Sequence, residues 1–218
     1  MIRNRNTQVA KHYDKKALQY GIHPNRLRNT LALLKDIRNE TVLDIGCATG
    51  YLGHAIQKNN NYVVGIDISA KAIKKAAMIL DKAYAIDIEN SLIPTKRKFD
   101  LIVLSEIIEH FFQPDETLSK IISSLKPKGK ILISTPNFLY WGNRLQFLRG
   151  TFVYTNQGTF DEGHIHFFTY SSLKQLLSRH GFRVISENHL AAGFASKLLV
   201  HFYPGLAAYH LIILAQKN

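Results

Sequence analysis

Thr41-Val42-Leu43-Asp44-Ile45-Gly46-Cys47-Ala48-Thr49-Gly50-Tyr51-Leu52-Gly53 is the stretch whose reading decides the fold. Its first five residues are β-branched or apolar apart from Asp44, as a strand buried on both faces of a parallel sheet requires. Gly46 and Gly50 then supply positions without Cβ, where the backbone turns sharply and a ligand comes close. From Tyr51 the spacing of Leu52, Ala55 and Ile56 is helical, so the turn delivers a helix N-terminus to whatever it holds. Strand, glycine turn and helix also make a dinucleotide site, but that fingerprint is Gly-x-Gly-x-x-Gly. Here Ala48 stands at its second glycine and Tyr51 at its third, which disfavours a nicotinamide cofactor.

Downstream the pattern repeats. Tyr62 to Asp67 reads as a second buried strand ending in a carboxylate, and Ser69 caps a helix running to about Leu80. An acid at that tip can accept both hydroxyls of a ribose, which makes Asp67 a candidate binding residue. Tyr84 to Ile88 reads as a third strand, with Asp87 near its end and Glu89 as a rival acid. Phe99 to Leu104 is a buried fourth strand; if the chain then turns helical, Glu106, Glu109 and His110 share one face. A helix over Pro114 to Leu125, a reversal through Lys126-Pro127-Lys128-Gly129-Lys130 and a fifth strand over Ile131 to Thr135 follow. Thr169 or Ser171 caps a helix ending at Gly181, Phe182 to Ser186 is the sixth strand, and Tyr209 to Ala215 the seventh.

Asp44, Gly46, Ala48 and Gly50 resemble the acidic-x-Gly-x-Gly-x-Gly motif of class I S-adenosylmethionine-dependent methyltransferases, with alanine replacing the middle glycine. Phe99-Asp100, the buried strand and the Glu109-His110 pair strengthen the resemblance, towards enzymes acting on quinone precursors and other small metabolites. The resemblance implies an α/β, Rossmann-like, doubly wound seven-stranded sheet, mostly parallel, with an antiparallel last strand between the fifth and sixth. It implies S-adenosylmethionine as cofactor, met by Asp44, Gly46, Ala48, Gly50 and Tyr51 at the turn and by Asp67 and Ile68 at the ribose. Asp87 would accept from the adenine amino group, Ile88 would offer its backbone N–H to the ring, and the Ser105 carbonyl would receive the methionine ammonium. Tyr13, Asp14, Ala17 and Tyr20 look like the tyrosine-rich opening that closes over the cofactor in such enzymes.

The 218 residues, 46% hydrophobic and without low-complexity tracts, suit one domain with embellishments. We expect a helical cap over residues 1–40 and a methyltransferase domain over 41–218. The one cysteine, Cys47, cannot form an internal disulfide and points to a reducing, cytoplasmic setting; it reads as a small buried filler. Met1 to Asn6 lacks the apolar core of a signal peptide, and Leu190 to Ala215 is too interrupted for a membrane span. Net charge is +12, and residues 1–40 hold nine Lys or Arg against three Asp or Glu. That field favours an anionic partner. Nucleic acid is nevertheless disfavoured, because Ser105-Glu106-Ile107-Ile108 is not the Asn/Asp-Pro-Pro-Tyr-like segment with which base-amine methyltransferases grip their target.

Residues 138–168 are irregular and rich in aromatics, as in a lid over an acceptor pocket. Arg144 and Arg149 could meet an anionic acceptor there, and the apolar side of Phe194 to Leu206 could touch a lipid-linked one or a membrane surface. His164, His166 and His110 are the candidate catalytic residues, as bases for a hydroxyl proton. A metal held by the His164-x-His166 and Glu109-His110 pairs is not expected. The expected activity is methyl transfer to a small molecule, at oxygen. A nicotinamide-dependent oxidoreductase and a non-catalytic cofactor-binding protein are the alternatives.

Overall fold

The computed structural model of the protein describes residues 13, 14 and 23–218. Ala17 and Tyr20, part of the expected tyrosine-rich opening, lie outside the described residues.

The strands are β1 (Thr41–Ile45), β2 (Tyr62–Asp67), β3 (Lys82–Ala85), β4 (Phe99–Ser105), β5 (Leu125–Pro136), β6 (Phe182–Glu187), β7 (Leu190–Ala191) and β8 (Ala208–Lys217). Around them lie helices α1 (Pro24–Leu33), α2 (Tyr51–Gln57), α3 (Ala70–Ala76), α4 (Pro114–Ile122), α5 (Trp141–Leu148), α6 (Tyr170–Arg179), α7 (Phe194–Leu199) and α8 (Pro204–Ala207). They form one sheet in the order β3-β2-β1-β4-β5-β8-β6. From β3 to β5 every pair is parallel, and β8 runs antiparallel between β5 and β6, as the resemblance implied. The two-residue β7 is an addition to the seven expected strands and pairs with the start of β8.

The doubly wound form follows from period-two alternation in strands that are apolar on both sides. In β1, Leu43 and Ile45 enter the core layer beneath α4 and α6, whereas Val42 enters the layer that contains Leu52 and Ile56 of α2 and Ile73 of α3. In β4, Ile102 and Leu104 alternate in the same way with Leu101 and Val103. Because the chain leaves β1 for β2 and β3 and then returns to β4 on its other side, the winding direction reverses between β1 and β4. A crevice at the carboxyl ends of those strands is where such sheets bind ligands.

Several expected elements differ: the reversal expected through Lys126 to Lys130 lies within β5, which begins at Leu125 rather than Ile131 because Leu125 already pairs with Phe99 of β4. The third strand ends at Ala85, not Ile88: Ile86 N–H still donates to Asp67 O (2.9 Å), after which a turn closed by Asn90 N–H to Asp87 O takes the chain off the edge. No regular helix begins after Leu104. The Glu106 N–H continues the sheet by donating to Ser134 O (2.9 Å), the residue then adopts a left-handed φ of 55°, and only one 3-10 turn, Ile108–His110, follows. Glu106 therefore does not share a helical face with Glu109 and His110. Within 138–168, α5 is a regular helix in a stretch expected to be irregular. Among the described residues, no helix is long and apolar enough to cross a membrane.

The start of α6 is fixed by a reciprocal cap, with the Thr169 hydroxyl accepting from Ser172 N–H and the Ser172 hydroxyl accepting from Thr169 N–H. Thr169→Ala should lower stability by about 1 kcal/mol, read as a lower denaturant midpoint with an unchanged slope.

Candidate active site

At the end of β1 the turn passes through three left-handed residues, Gly46 (φ 73°), Ala48 (46°) and Gly50 (82°). Gly46 also lies against Ile107: a Cβ there would come within 2.9 Å of that side chain. The turn is held from β2. Gly46 N–H and Cys47 N–H donate to Ile66 O, and Ala48 N–H donates to the Asp67 carboxylate (2.9 Å). The other Asp67 oxygen accepts Ser69 N–H (2.8 Å), ahead of α3, whose own cap is the Ser69 hydroxyl. Burial pushes the Asp67 carboxyl up against the opposing pull of these N–H donors. Beneath the turn Cys47 is buried, and a Cβ on Gly65 would meet its Sγ at 2.7 Å, so the thiol fills space as expected.

Asp44 lies deeper, 2% exposed, and its Oδ2 has no hydrogen-bond partner among the described residues. Burial first, and the charge of Asp67 second, push its carboxyl up to about 7, against the opposing pull of the Gly53 N–H. Of the two acids after β3, Glu89 is committed elsewhere. One of its oxygens accepts from Phe112 N–H (2.8 Å), Gln113 N–H and the Thr117 hydroxyl, at the N-terminus of α4. Asp87 takes only local bonds, from Glu89 N–H and the Asn90 amide. Ile68 is half-buried and Ile88 buried, whereas Tyr51 is exposed.

Beyond β4, Ser105 pairs its hydroxyl with that of Ser134 (3.2 Å). Glu106 turns towards His210 Nδ1 (2.7 Å) on β8 and Arg26 (3.3 Å) on α1. Burial raises its carboxyl, but those two partners outweigh burial and hold it well below the usual carboxylate range. Glu109 is the opposite case: it is 1% exposed, neither oxygen has a hydrogen-bond partner among the described residues, and burial together with the Glu106 charge pushes it well up.

His110 and His164 meet edge to face with ring centroids 4.8 Å apart. His110 Nδ1 lies 2.8 Å from Gly163 O and 3.0 Å from the Tyr13 hydroxyl, which fixes the proton on that nitrogen because a carbonyl can only accept. Burial and the neighbouring His164 hold His110 down at about 4. His164 Nδ1 donates to Thr159 O (3.0 Å), so in the neutral ring Nε2 keeps its lone pair and faces Glu109 Oε1 at 3.9 Å. One ligand atom each of Glu109, His110 and His164 falls within 4.8 Å of the others, a set with the chemistry to hold a cation. His166 does not join them: its Nε2 donates to Phe112 O (3.2 Å), beside the cleft between α4 and α6. Arg144 is exposed on α5 and Arg149 is exposed just past its C-terminal end.

Sequence reasoning missed Arg26 and His210, whose partner Glu106 is 80 and 104 residues away respectively. Only the winding of the sheet brings them together. It also missed the anchoring of Asp14, which accepts from the Ser69 hydroxyl (2.6 Å) and Lys71 N–H (3.2 Å), next to Asp67. With Tyr13 on His110, the two neighbours touch both sides of the crevice.

A family model described as a methyltransferase domain matches residues 11–187. The chain belongs to this family. It carries a methyltransferase domain, as the motifs implied. Over 116 residues this methyltransferase is 34% identical to the ubiquinone biosynthesis O-methyltransferase of Rhodopseudomonas palustris (strain TIE-1), across 51% of this chain and 45% of that protein. The chain thus spans about half the length of that relative. Among solved structures, the magnesium protoporphyrin IX methyltransferase of Synechocystis PCC 6803, with bound S-adenosylhomocysteine, aligns with a TM-score of 0.68 at 15% identity, over 97% of this chain and 99% of that one. An N-methyltransferase from Bradyrhizobium japonicum WM9, in complex with S-adenosylhomocysteine, aligns with a TM-score of 0.61 at 16% identity, over 90% and 89%. At these identities the two structures speak for the fold.

Asp44 yields a pH prediction. Its folded-state value near 7 lies above the unfolded value of about 3.9, so its contribution is full below about pH 4 and is lost as pH rises towards 7. Relative to the native protein, Asp44→Asn should therefore become progressively more stable between those limits. Denaturant midpoints that differ by a constant amount across this range would contradict it.

Proposed function

We propose that the chain transfers the methyl group of S-adenosylmethionine to an oxygen of a small-molecule acceptor. The observation that carries the reading is the His110–His164 pair, in which the Nδ1 proton of His164 is committed to Thr159 O and Nε2 is left as a base at the carboxyl edge of the sheet. The matching relative's name, a ubiquinone biosynthesis O-methyltransferase, supports oxygen as the methylated atom.

The residues present fit the cofactor. The three left-handed positions of the turn expose backbone where a nucleoside could approach, and Asp67 spends one lone pair of each oxygen on an N–H, keeping others for ribose hydroxyls. Asp87, with Glu89 taken by α4, is the acid for the adenine amino group, with Ile88 offering its backbone N–H beside it. The Ser105 carbonyl takes the methionine ammonium. Gly46, Ala48, Gly50, Tyr51 and Ile68 make the remaining contacts, and Asp44 supports the turn from below.

When bound, S-adenosylmethionine supplies an electrophilic methyl on a sulfonium that is itself a good leaving group. The protein then has to position the acceptor, exclude water and receive a hydroxyl proton. His164 Nε2 receives the proton. His110, kept neutral by burial, adds no positive charge beside a cationic cofactor. Tyr13, whose phenol burial pushes upward, stays protonated at His110 and ties the N-terminal segment across the crevice. His166 lies outside this group and serves the lid.

Calorimetric titration with S-adenosylmethionine, S-adenosylhomocysteine and NAD, repeated on Asp67→Ala, tests the cofactor. Both adenosyl compounds should bind, about tenfold or more weakly in the variant, since a hydrogen bond to a charged group contributes about 1.5–3 kcal/mol. Saturable binding of NAD alone would overturn the reading. With an accepted substrate, His164→Ala should lower turnover by about a hundredfold or more at unchanged cofactor affinity, while His166→Ala stays within about threefold. Equal loss in the two variants would remove His164 from its role as base.

A further inference from the structure

The outer face of the lid and the last crossover connection carry a concentration of exposed apolar side chains that core packing does not explain. On α5, Trp141, Leu145 and Leu148 recur at i, i+4 and i+7 and are all exposed, Leu148 by 84%. Phe152, Val153 and Tyr154 continue the exposed run past the helix. On the other segment Phe194 is 79% exposed and Phe202 78%, with Leu198, Leu199 and Tyr203 between and beside them. The two segments adjoin: the Trp141 indole N–H donates to the Ser196 hydroxyl (2.8 Å), and the Tyr140 hydroxyl donates to Ala192 O (3.4 Å).

Charge sorts with this surface. Between Glu116 and Asp161, and again from Asn188 to Asn218, the sequence has no Asp or Glu. The charged side chains within these two stretches that accompany the apolar residues are therefore cations, Arg144, Arg149 and Lys197, all exposed, with His201 beside them; acids stand at the border, Glu162 beside Thr155 and Glu187, already bound to His189, in the cavity it lines with His201 and Pro204. A patch for a protein partner of ordinary composition has no need to exclude acids over two separate stretches. Exposed aromatic and leucine side chains rimmed by Arg and Lys are what an anionic lipid surface takes up, the rings entering the acyl boundary and the cations meeting headgroup phosphates.

We infer that the face formed by α5, its following loop and the segment from Phe194 to Leu206 docks on the surface of an anionic phospholipid bilayer. The inference goes beyond methyl transfer and does not rest on it. It also gives a membrane-dissolved acceptor a short route to the lid, since α5 belongs to the same 138–168 segment as His164.

The test is cosedimentation of the full chain, without cofactor or acceptor, with phosphatidylcholine vesicles containing or lacking phosphatidylglycerol. Binding should require the anionic lipid and weaken as salt is raised. Leu198→Glu/Phe202→Glu should reduce it about tenfold or more, because two apolar anchors are lost and two repelled charges added. Met78→Glu, at an 83% exposed methionine after α3, should leave binding within about twofold, and thermal unfolding will establish that both variants are folded. Binding absent, binding equal on neutral vesicles, or binding indifferent to the double substitution would overturn the inference. So would a dimer in sedimentation equilibrium that the double variant dissociates without any vesicle binding, since the face would then belong to a second copy of the chain.

Discussion

The Asp67 carboxylate joins β1, β2 and α3 at the edge of the sheet where the winding reverses. Its two oxygens accept Ala48 N–H from the turn after β1 and Ser69 N–H ahead of α3, so one side chain sets both the path of the turn and the start of the helix. Holding a largely buried carboxylate without an ion pair among the described residues is costly, and the raised pKa reports that cost. A neutral amide could form one of these bonds with its oxygen, but its NH2 would oppose the other N–H. The arrangement therefore needs an acceptor at both positions, which is also what paired ribose hydroxyls need.

Around that anchor the acids are driven apart by their surroundings. Glu106 and Glu109 are three residues apart, yet one is held charged by His210 and Arg26 while the other, with no hydrogen-bond partner for its carboxyl oxygens among the described residues, is pushed towards the protonated form, partly by the first. The chain turns through a left-handed φ at Glu106, and the two side chains end in different surroundings. Such separation of like groups is how a site keeps a charged and a neutral carboxyl side by side. His110 completes it by remaining neutral through burial.

The sheet was legible because its signals are local. A five-residue strand that is apolar or β-branched apart from Asp44, a glycine turn and a helical repeat stand next to one another in Thr41 to Ile56, and the continuous run Leu211 to Leu214 announces a strand buried on both faces. What failed depended on distance. Asp87 and Glu89 cannot be ranked until α4 is in place to claim Glu89. His164 and His166 look alike at a spacing of two, but in the segment whose Ile165 and His166 N–H groups both donate to Glu109 O the two rings reach different partners, Thr159 O and Phe112 O. The expected helix after Leu104 failed for a third reason, because the Glu106 N–H keeps its bond to the sheet and helical φ is unavailable there.

A strongly basic protein with acids gathered at one edge of its sheet is less paradoxical than its net charge suggests. Thirteen of its sixteen acids fall between Asp14 and Glu116, the part of the chain that builds the nucleotide half of the sheet, and Asp44, Asp67, Asp87, Glu106 and Glu109 stand at its carboxyl edge or just beneath. Glu106 is offset by His210 and Arg26 and Glu109 is pushed towards its neutral form, so Asp67 and Asp87 are the acids at this edge without an ion pair among the described residues; under the proposed function they would favour the sulfonium of S-adenosylmethionine over the uncharged sulfur of its product. The same segregation leaves the remainder of the surface short of acids. One sorting of charge along the sequence thus concentrates the acids in the part of the chain that builds the first strands of the sheet and leaves residues 117–160 and 188–218 without any.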